Sequence, residues 1–183
     1  MRITGGELKG RRIEPPSGFK SRPTTDFARE GLLNILDNRY DLASVSFLDL
    51  FAGTGAISYE MASRGTADID MVETDRRNCE FIHQTLDHLG ISKAHIHRLS
   101  VSDWLKICHK KFDLIFADPP YALKWLKDIP DMVLQSGASD KDTVFILEHP
   151  RAISFTTHPC FTEHRNYGNV NFSFFSPGQG LKV

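Results

Sequence analysis

The chain has 183 residues, of which 40% are hydrophobic and 25% are charged, and its net charge is −1. This length fits one domain with a sizeable core, and the composition excludes a disordered chain. No apolar run could span a bilayer and the N-terminus has no apolar signal segment, so we expect a soluble cytoplasmic protein. The three cysteines are scattered and form no CxxC pair, which argues against a disulfide framework and a zinc site.

The start of the chain is basic. Residues 1–22 contain six lysines and arginines against two glutamates, which gives +4 here and −5 for the remainder. This charge is compatible with contacts to a phosphate backbone, and also with an ordinary solvated terminus. Glycines and the run Pro15-Pro16-Ser17-Gly18 predict a small extension of short strands and turns over residues 1–24.

Helical and strand-like segments alternate through the rest of the chain. A helix capped by Thr25 or Asp26 runs to about Tyr40. Strands are then predicted at 46–51, 68–73, 94–99, 112–117 and 143–148, with helices at 56–64, 76–89, 102–108 and 123–135 between them. Pro130 should kink or split the last of these helices.

This alternation is typical of a mostly parallel sheet with helices on both faces. Two more strand-like runs, 161–165 and 170–175, lie on either side of Tyr167-Gly168-Asn169 and predict an antiparallel hairpin at the sheet edge. The sequence therefore predicts an α/β, Rossmann-like, seven-stranded fold. We expect residues 25–176 to form the main domain and residues 177–183 to form a tail.

The turn after the first predicted strand has the features of a nucleotide-binding loop. It carries Gly53 and Gly55, which let a ligand approach the backbone closely. Glu73 ends the second strand, where an acid can accept both ribose hydroxyls of an adenosine. The glycines alone could form a turn without a ligand, but Glu73 in this position favours an adenosine-containing cofactor.

Asp49, just before the glycines, distinguishes between such cofactors. The dinucleotide fingerprint has a third glycine or alanine where this chain has Ser58. A carboxylate at position 49 would repel a pyrophosphate, whereas it suits a cation such as the amino group of S-adenosylmethionine. The loop therefore favours S-adenosylmethionine over NAD.

A second motif, Asp118-Pro119-Pro120-Tyr121, follows the predicted strand 112–117. Its prolines have no N–H and stiffen the turn, so carbonyl and carboxylate oxygens are left as acceptors beside an aromatic face. This arrangement suits a planar group with an NH2, such as a nucleobase amine, although an ordinary turn at a strand end is the alternative. Because ligands bind beyond the carboxyl ends of strands in open α/β sheets, this motif and the glycine loop should meet there.

Ser102 and Asp103 lie at the exit of the third predicted strand. Enzymes that transfer a methyl group from S-adenosylmethionine to an amine contact the adenine of the cofactor at this place. Either residue could accept a hydrogen bond from the adenine amine, and Asp103 could instead cap the next helix. His95 and His97 point to one side of a strand, but no further metal ligands accompany them. We expect no metal site.

Together these motifs resemble the RsmD-like family, bacterial methyltransferases that act on guanine N2 of 16S ribosomal RNA. The resemblance covers about residues 1–176. It rests on residues 6–13 (GELKGRRI), 22–26 (RPTTD), 49–55 (DLFAGTG) and 118–121 (DPPY), of which RPTTD is the more specific. Leu8 and Phe27 depart from the family, which often has an aromatic and a basic residue at these positions.

The resemblance implies a class I methyltransferase fold, S-adenosylmethionine as the cofactor, and catalytic roles for Asp118, Pro119, Pro120 and Tyr121. Expected cofactor contacts are Asp49, Phe51, Gly53, Thr54, Gly55, Glu73, Thr74, Ser102 and Asp103. Candidate RNA contacts are Lys9, Arg11, Arg12, Arg22, Thr24 and Thr25, although the last three could instead close over the cofactor. The expected partner is 16S rRNA or the small ribosomal subunit. We expect the protein to be a monomer that binds neither a membrane nor a metal.

Two other functions are compatible with parts of this pattern. A DNA adenine-N6 methyltransferase would use the same amine chemistry, but the chain is short for an added target-recognition domain. A non-catalytic RNA-binding assembly factor would not need the full set of Asp49, Gly53, Gly55, Glu73 and Asp118.

Overall fold

The computed structural model describes residues 1–15 and 26–179 and contains a seven-stranded sheet with the strand order β3-β2-β1-β4-β5-β7-β6. The strands are β1 (Ser46–Asp49), β2 (Asp68–Val72), β3 (Ala94–His97), β4 (Leu114–Ala117), β5 (Val144–His149), β6 (Phe161–Tyr167) and β7 (Val170–Phe175). The helices are α1 (Asp26–Arg39), α2 (Ala56–Ser63), α3 (Arg76–Leu89), α4 (Val101–Ile107) and α5 (Ile129–Leu134), with short 3-10 turns at Leu126–Asp128 and Pro177–Gln179.

The strand pairing confirms the predicted mixed sheet. Strands β1 to β5 pair in parallel, whereas β7 pairs antiparallel with both β5 and β6, so the hairpin forms one edge. Most predicted parallel strands end one or two residues too late. These last residues, such as Phe51 and Glu73, have left the sheet and line its carboxyl edge.

Successive side chains of each strand point to opposite faces of the sheet and pack into two separate hydrophobic cores. Phe116 packs on the side of α1, α2 and α3, and its neighbour Ile115 packs on the side of α4 and α5. Both side chains are at most 2% exposed. Two buried cores fix the register of β4, and hence the position of Asp118 just beyond it.

The helix predicted at 123–135 is wrong in its first half. A 3-10 turn occupies Leu126–Asp128, and α5 begins only at Ile129. Pro130 lies in the first turn of α5, where its missing N–H has no partner to lose. The proline therefore marks the start of a short helix and does not kink a long one.

The N-terminal segment is attached to α1 and α2 by a buried ion pair. Arg29 and Glu60 are each 1% exposed, and Arg29 Nε lies 3.3 Å from Glu60 Oε1. Arg29 also donates to the carbonyl of Arg2, and the N–H and hydroxyl of Thr4 donate to Glu60. The extension is thus part of the packed structure.

Gly6 lets this segment approach the end of α2. Its φ is +73°, and a Cβ at this position would lie 1.8 Å from the carbonyl oxygen of Ser63. Ile3 and Ile13, on either side of the turn, are buried in the same core as α1. The predicted domain boundary at residue 24 lies outside the described residues and stays a prediction.

Candidate active site

Asp49, at the end of β1, is a buried carboxylate with a hydrogen-bond partner for only one of its two oxygens in the described part of the chain. Its Oδ2 accepts a hydrogen bond from Ser58 Oγ at 2.8 Å, whereas its Oδ1 is buried with no hydrogen-bond partner among residues 1–15 and 26–179. Burial raises the pKa of Asp49 to about 7 and the charge of Glu73 raises it further, whereas hydrogen bonds from Ser58 and from the backbone of Phe51 lower it. Such a group attracts a cation or a hydrogen-bond donor.

Glu73 joins the ends of β1 and β2. Its Oε2 accepts from the N–H of Gly53 at 2.8 Å, and its Oε1 accepts from the N–H groups of Thr74 and Asp75 at 2.7 and 2.8 Å. These bonds hold the half-buried carboxylate in one orientation next to the glycine loop. Each oxygen of a carboxylate can take further hydrogen bonds, so Glu73 is able to accept from a ribose.

Gly55 is required by its backbone and by its neighbour. Its φ is +81°, and a Cβ here would lie 2.5 Å from Cζ of Tyr59, whose ring packs under the loop. Tyr59 is fully buried, and its burial raises the pKa of the phenol. The tight turn leaves Thr54 partly exposed at the top of the loop.

The Asp118-Pro119-Pro120-Tyr121 motif directly follows β4. Asp118 is half-buried and Pro119 is buried, and the Pro120 carbonyl accepts from the N–H of Leu123 at 2.8 Å, which closes the turn. The hydroxyl of Tyr121 donates to Glu148 Oε1 at 3.1 Å. The tip is therefore tied to the end of β5.

The strand pairing brings the two motifs to one edge. Asp49 lies opposite Phe116 in the register of β1 and β4, and the N–H of Leu50 donates to the carbonyl of Phe116. Phe51, after β1, and Trp125, after the tip, have ring centroids 6.2 Å apart. The glycine loop and the tip are therefore neighbours, as the parallel topology predicts.

The exit of β3 also lies at this edge, but Asp103 does not cap α4. Ser100 is the cap, because its Oγ accepts from the N–H of Asp103 at 3.1 Å. Asp103 is exposed, accepts from Ser100 Oγ and lies 3.3 Å from Lys106 Nζ. Ser102 is partly buried, with its Oγ 3.1 Å from that of Ser100.

The candidate RNA contacts are only partly described. Lys9, Arg11 and Arg12 are exposed. The turn that holds Lys9 contacts Ser63, at the end of α2 that is distant from the glycine loop. Arg22, Thr24 and Thr25 lie outside the described residues.

The site fits S-adenosylmethionine. Asp49 Oδ1 is an unused buried acceptor that suits the cofactor's amino group, directly or through water. Glu73 is held where an acid accepts ribose hydroxyls, and the tight glycine turn admits a ligand close to the backbone. In the described part of the chain, no group of three or more His, Cys, Asp or Glu could hold a metal ion, and no helix is long and apolar enough to cross a membrane.

Two residues of the site have roles that the motifs did not reveal. Ser58 stands out in the sequence only as a departure from the dinucleotide fingerprint, yet it holds Asp49. Glu148 holds Tyr121, although the two residues are 27 positions apart. The predicted strand 143–148 is a usable signal, because it places Glu148 near the carboxyl end of a parallel strand, at the same edge as Asp118.

Known proteins share this chain's sequence and fold. The chain is 31% identical to a putative rRNA methyltransferase, YlbH, of Bacillus subtilis, with 84% of each chain covered. It is 29% identical to ribosomal RNA small subunit methyltransferase D of Escherichia coli, over 80% of this chain and 73% of that protein. A solved structure, the putative methyltransferase yhhF from Escherichia coli, is 26% identical and superimposes with a TM-score of 0.82 over 96% and 97% of the two chains.

The fold is therefore the Rossmann-like fold of class I methyltransferases, with a C-terminal antiparallel hairpin. A family model described as conserved hypothetical protein 95 matches residues 1–176, almost the whole chain. The chain belongs to this family, the RsmD-like family that its motifs resemble.

Proposed function

We propose that this protein transfers a methyl group from S-adenosylmethionine to the N2 amine of a guanine in small-subunit (16S) ribosomal RNA. The observation that carries the proposal is the meeting of two motifs at one sheet edge. The Asp118–Tyr121 tip lies beside the loop of Asp49, Gly53 and Glu73. The names of the relatives, among them a small-subunit rRNA methyltransferase, support the choice of RNA.

The residues of the tip act on the amine. A guanine amine is conjugated with its ring and is a weak nucleophile, so its two N–H groups need to be held. Asp118 and the carbonyl of Pro119 accept these two hydrogen bonds, and the lone pair of the nitrogen then points towards the cofactor. Tyr121, tethered by Glu148, stacks on the base.

The residues of the loop hold the cofactor, which supplies an activated methyl group when bound. Asp49 binds its amino group, Glu73 its ribose, and Ser102 or Asp103 the adenine. With both reactants aligned, positioning provides much of the rate enhancement. The guanine nitrogen gains the methyl group, whose bond to the sulfonium sulfur breaks to leave S-adenosylhomocysteine, and it loses one proton, which passes to Asp118 or to water.

The RNA has to present the guanine unstacked, because an amine inside a helix cannot reach such a pocket. Lys9, Arg11 and Arg12 are exposed cations of the extension, residues 1–24, and we assign them to the RNA backbone. We assign one of two roles to Arg22, Thr24 and Thr25: they close over the cofactor or they contact the RNA. Residues 25–176 then form the catalytic domain, in the cytoplasm.

The test is methyl transfer from radiolabelled S-adenosylmethionine to several acceptors. Small ribosomal subunits that lack the modification, free 16S rRNA, a DNA duplex and buffer are compared, and the labelled nucleoside is identified by its mass. The proposal predicts N2-methylguanosine in at least one of the two ribosomal samples. Label in DNA alone, as N6-methyladenine, would overturn it, as would no transfer to any acceptor by protein that binds the cofactor in calorimetry.

A further inference from the structure

A cavity of about 400 Å³ lies between the chain segment 149–156 and the β6–β7 hairpin, and we call it the hairpin cavity. Its polar lining includes His149, Arg151, His164, Asn166, Asn171 and Ser173. Phe155 and Phe161 contribute an apolar part. None of the described residues that line it is a carboxylate.

The hairpin cavity lies close to the catalytic tip. Ala117 and Leu147 are aligned in the register of β4 and β5, so the tip after β4 lies beside Glu148 and His149. Glu148, which accepts from Tyr121, and His149, which lines the cavity, are consecutive and point to opposite faces of the sheet. The cavity and the tip therefore lie on either side of one strand, β5, near its carboxyl end.

Hydrogen bonds fix the donors and acceptors on the cavity wall. His149 Nδ1 lies 3.1 Å from the carbonyl of Pro150 and so donates to it, which leaves Nε2 to accept from Ser173 Oγ at 2.8 Å. Burial lowers the pKa of His149, which agrees with this neutral form. The wall next to His149 is thus uncharged and internally satisfied.

Asn171 has an unused donor. Its Oδ1 accepts from His164 Nε2 at 3.1 Å and from Asn166 Nδ2 at 3.0 Å, and these two donors orient the amide. Its Nδ2 is buried and has no acceptor in the described part of the chain, although the residue is only 2% exposed. A buried donor without a partner is costly unless a ligand or water supplies an acceptor.

These features suit a nucleotide. Arg151 is an exposed cation that can pair with a phosphate, Asn171 and its neighbours can bind polar groups, and the phenylalanines can pack against a base. The volume is within the range of about 300–1,000 Å³ found for ligand sites. We propose that the hairpin cavity binds one nucleotide that flanks the methylated guanine in the RNA, an inference that rests on the proposed function.

Two variants and one control test this inference. Arg151→Ala removes the cation, and Ser154→Trp fills the cavity from an exposed position of its lining. Lys141→Ala removes a cation that is 83% exposed. It precedes β5 and so lies at the amino ends of the parallel strands, away from the cavity. We expect Arg151→Ala to raise KM for the RNA roughly ten- to a hundredfold, as loss of a charged hydrogen bond does. Ser154→Trp should raise the same KM because its indole occupies the cavity, and both variants should keep the affinity for S-adenosylmethionine. Lys141→Ala should keep the KM of the unmodified protein.

RNA substrates with an abasic nucleotide at one position near the target guanine then locate the contact. For the unmodified protein, one flanking abasic position should raise KM, and Ser154→Trp should show no additional loss with that RNA. If the unmodified protein makes N2-methylguanosine but Arg151→Ala and Ser154→Trp keep its KM, the cavity inference is wrong and the proposed function stands. If the protein modifies no RNA although it binds the cofactor, both are wrong.

Discussion

Asp49 is the residue in which function conflicts most clearly with stability. Its carboxylate is buried with one oxygen unpaired among the described residues, and burial raises its pKa to about 7. The native carboxyl therefore binds a proton more tightly than the unfolded one, whose pKa is about 3.9. As a result, the free energy of unfolding falls as the pH rises from about 4 to about 7, and the loss is complete above that range. A buried charge of this kind is explained if a cationic ligand needs it.

Asp49→Asn should separate these two effects. Asparagine keeps an oxygen for Ser58 but cannot ionise, so the variant escapes the cost of a buried charge at high pH. We expect its free energy of unfolding, relative to the unmodified protein, to increase by about 2 kcal/mol between pH 5.5 and pH 8. Urea unfolding at the two pH values measures this, and calorimetry should show weakened binding of S-adenosylmethionine.

Asp142→Asn is the matched control, because Asp142 is 78% exposed. The same substitution there should change the free energy of unfolding equally at both pH values. A stability difference for Asp49→Asn that is also the same at pH 5.5 and pH 8 would contradict a raised pKa at position 49.

The motif residues of the site could be predicted from the sequence because each belongs to a short local pattern. Asp49, Gly53 and Glu73 follow from a strand, a glycine turn and the next strand end, and the bond between Gly53 and Glu73 confirms that they meet. The bond between Tyr121 and Glu148 could not be predicted in the same way. It depends on the register of two strands, which no local pattern specifies.

At the level of elements, strands and most helices follow from periodicity, and the α3 helix is predicted to the residue. Its bounds, Arg76–Leu89, are set by a local cap at Asp75 and a glycine stop at Gly90. The helix predicted over residues 123–135 is too long because the apolar residues of this segment continue on both sides of Pro130. A proline either breaks a helix or begins one, and here tertiary packing selects the second possibility.

The sequence also does not reveal how the N-terminal segment is attached to the domain. Its glycines predict turns, but the segment is held by hydrogen bonds to Arg29 and Glu60, a buried ion pair whose members come from two different helices. The motif at residues 6–13 therefore has a structural role at Gly6, next to any role of its basic residues in RNA binding.

Gly6→Ala should destabilise the protein by more than backbone strain alone. The residue has φ +73°, and its Cβ would collide with the backbone of Ser63. We expect a cost of about 1–2 kcal/mol for the left-handed backbone plus about 1–3 kcal/mol for the forced displacement of the segment. The free energy of urea unfolding measures the total.

Gly90→Ala provides the control for this strain. Gly90 has φ +72°, but a Cβ there would meet nothing within 4 Å. This variant should lose only the cost of the left-handed backbone. Equal losses for Gly6→Ala and Gly90→Ala would show that the contact with Ser63 does not hold the segment in place.

At the scale of the whole molecule, the site results from topology. Parallel strands β1, β2 and β4 end at the same edge, and this brings together the glycine loop and the Asp118–Tyr121 tip, which are more than 60 residues apart. The hairpin cavity at the end of β5 extends this edge, but it could not be predicted. Its walls come from segment 149–156 and from the hairpin, and only their packing encloses it.

Methyl transfer by the Asp118→Ala variant tests the role of the tip, because Asp118 is assigned to the amine and not to the cofactor. We expect methyl transfer to small ribosomal subunits to fall at least about a hundredfold, with the dissociation constant for S-adenosylmethionine unchanged in calorimetry. That result would show that Asp118 acts on the substrate amine and does not hold the cofactor. Near-normal transfer of the methyl group by the folded variant would contradict it.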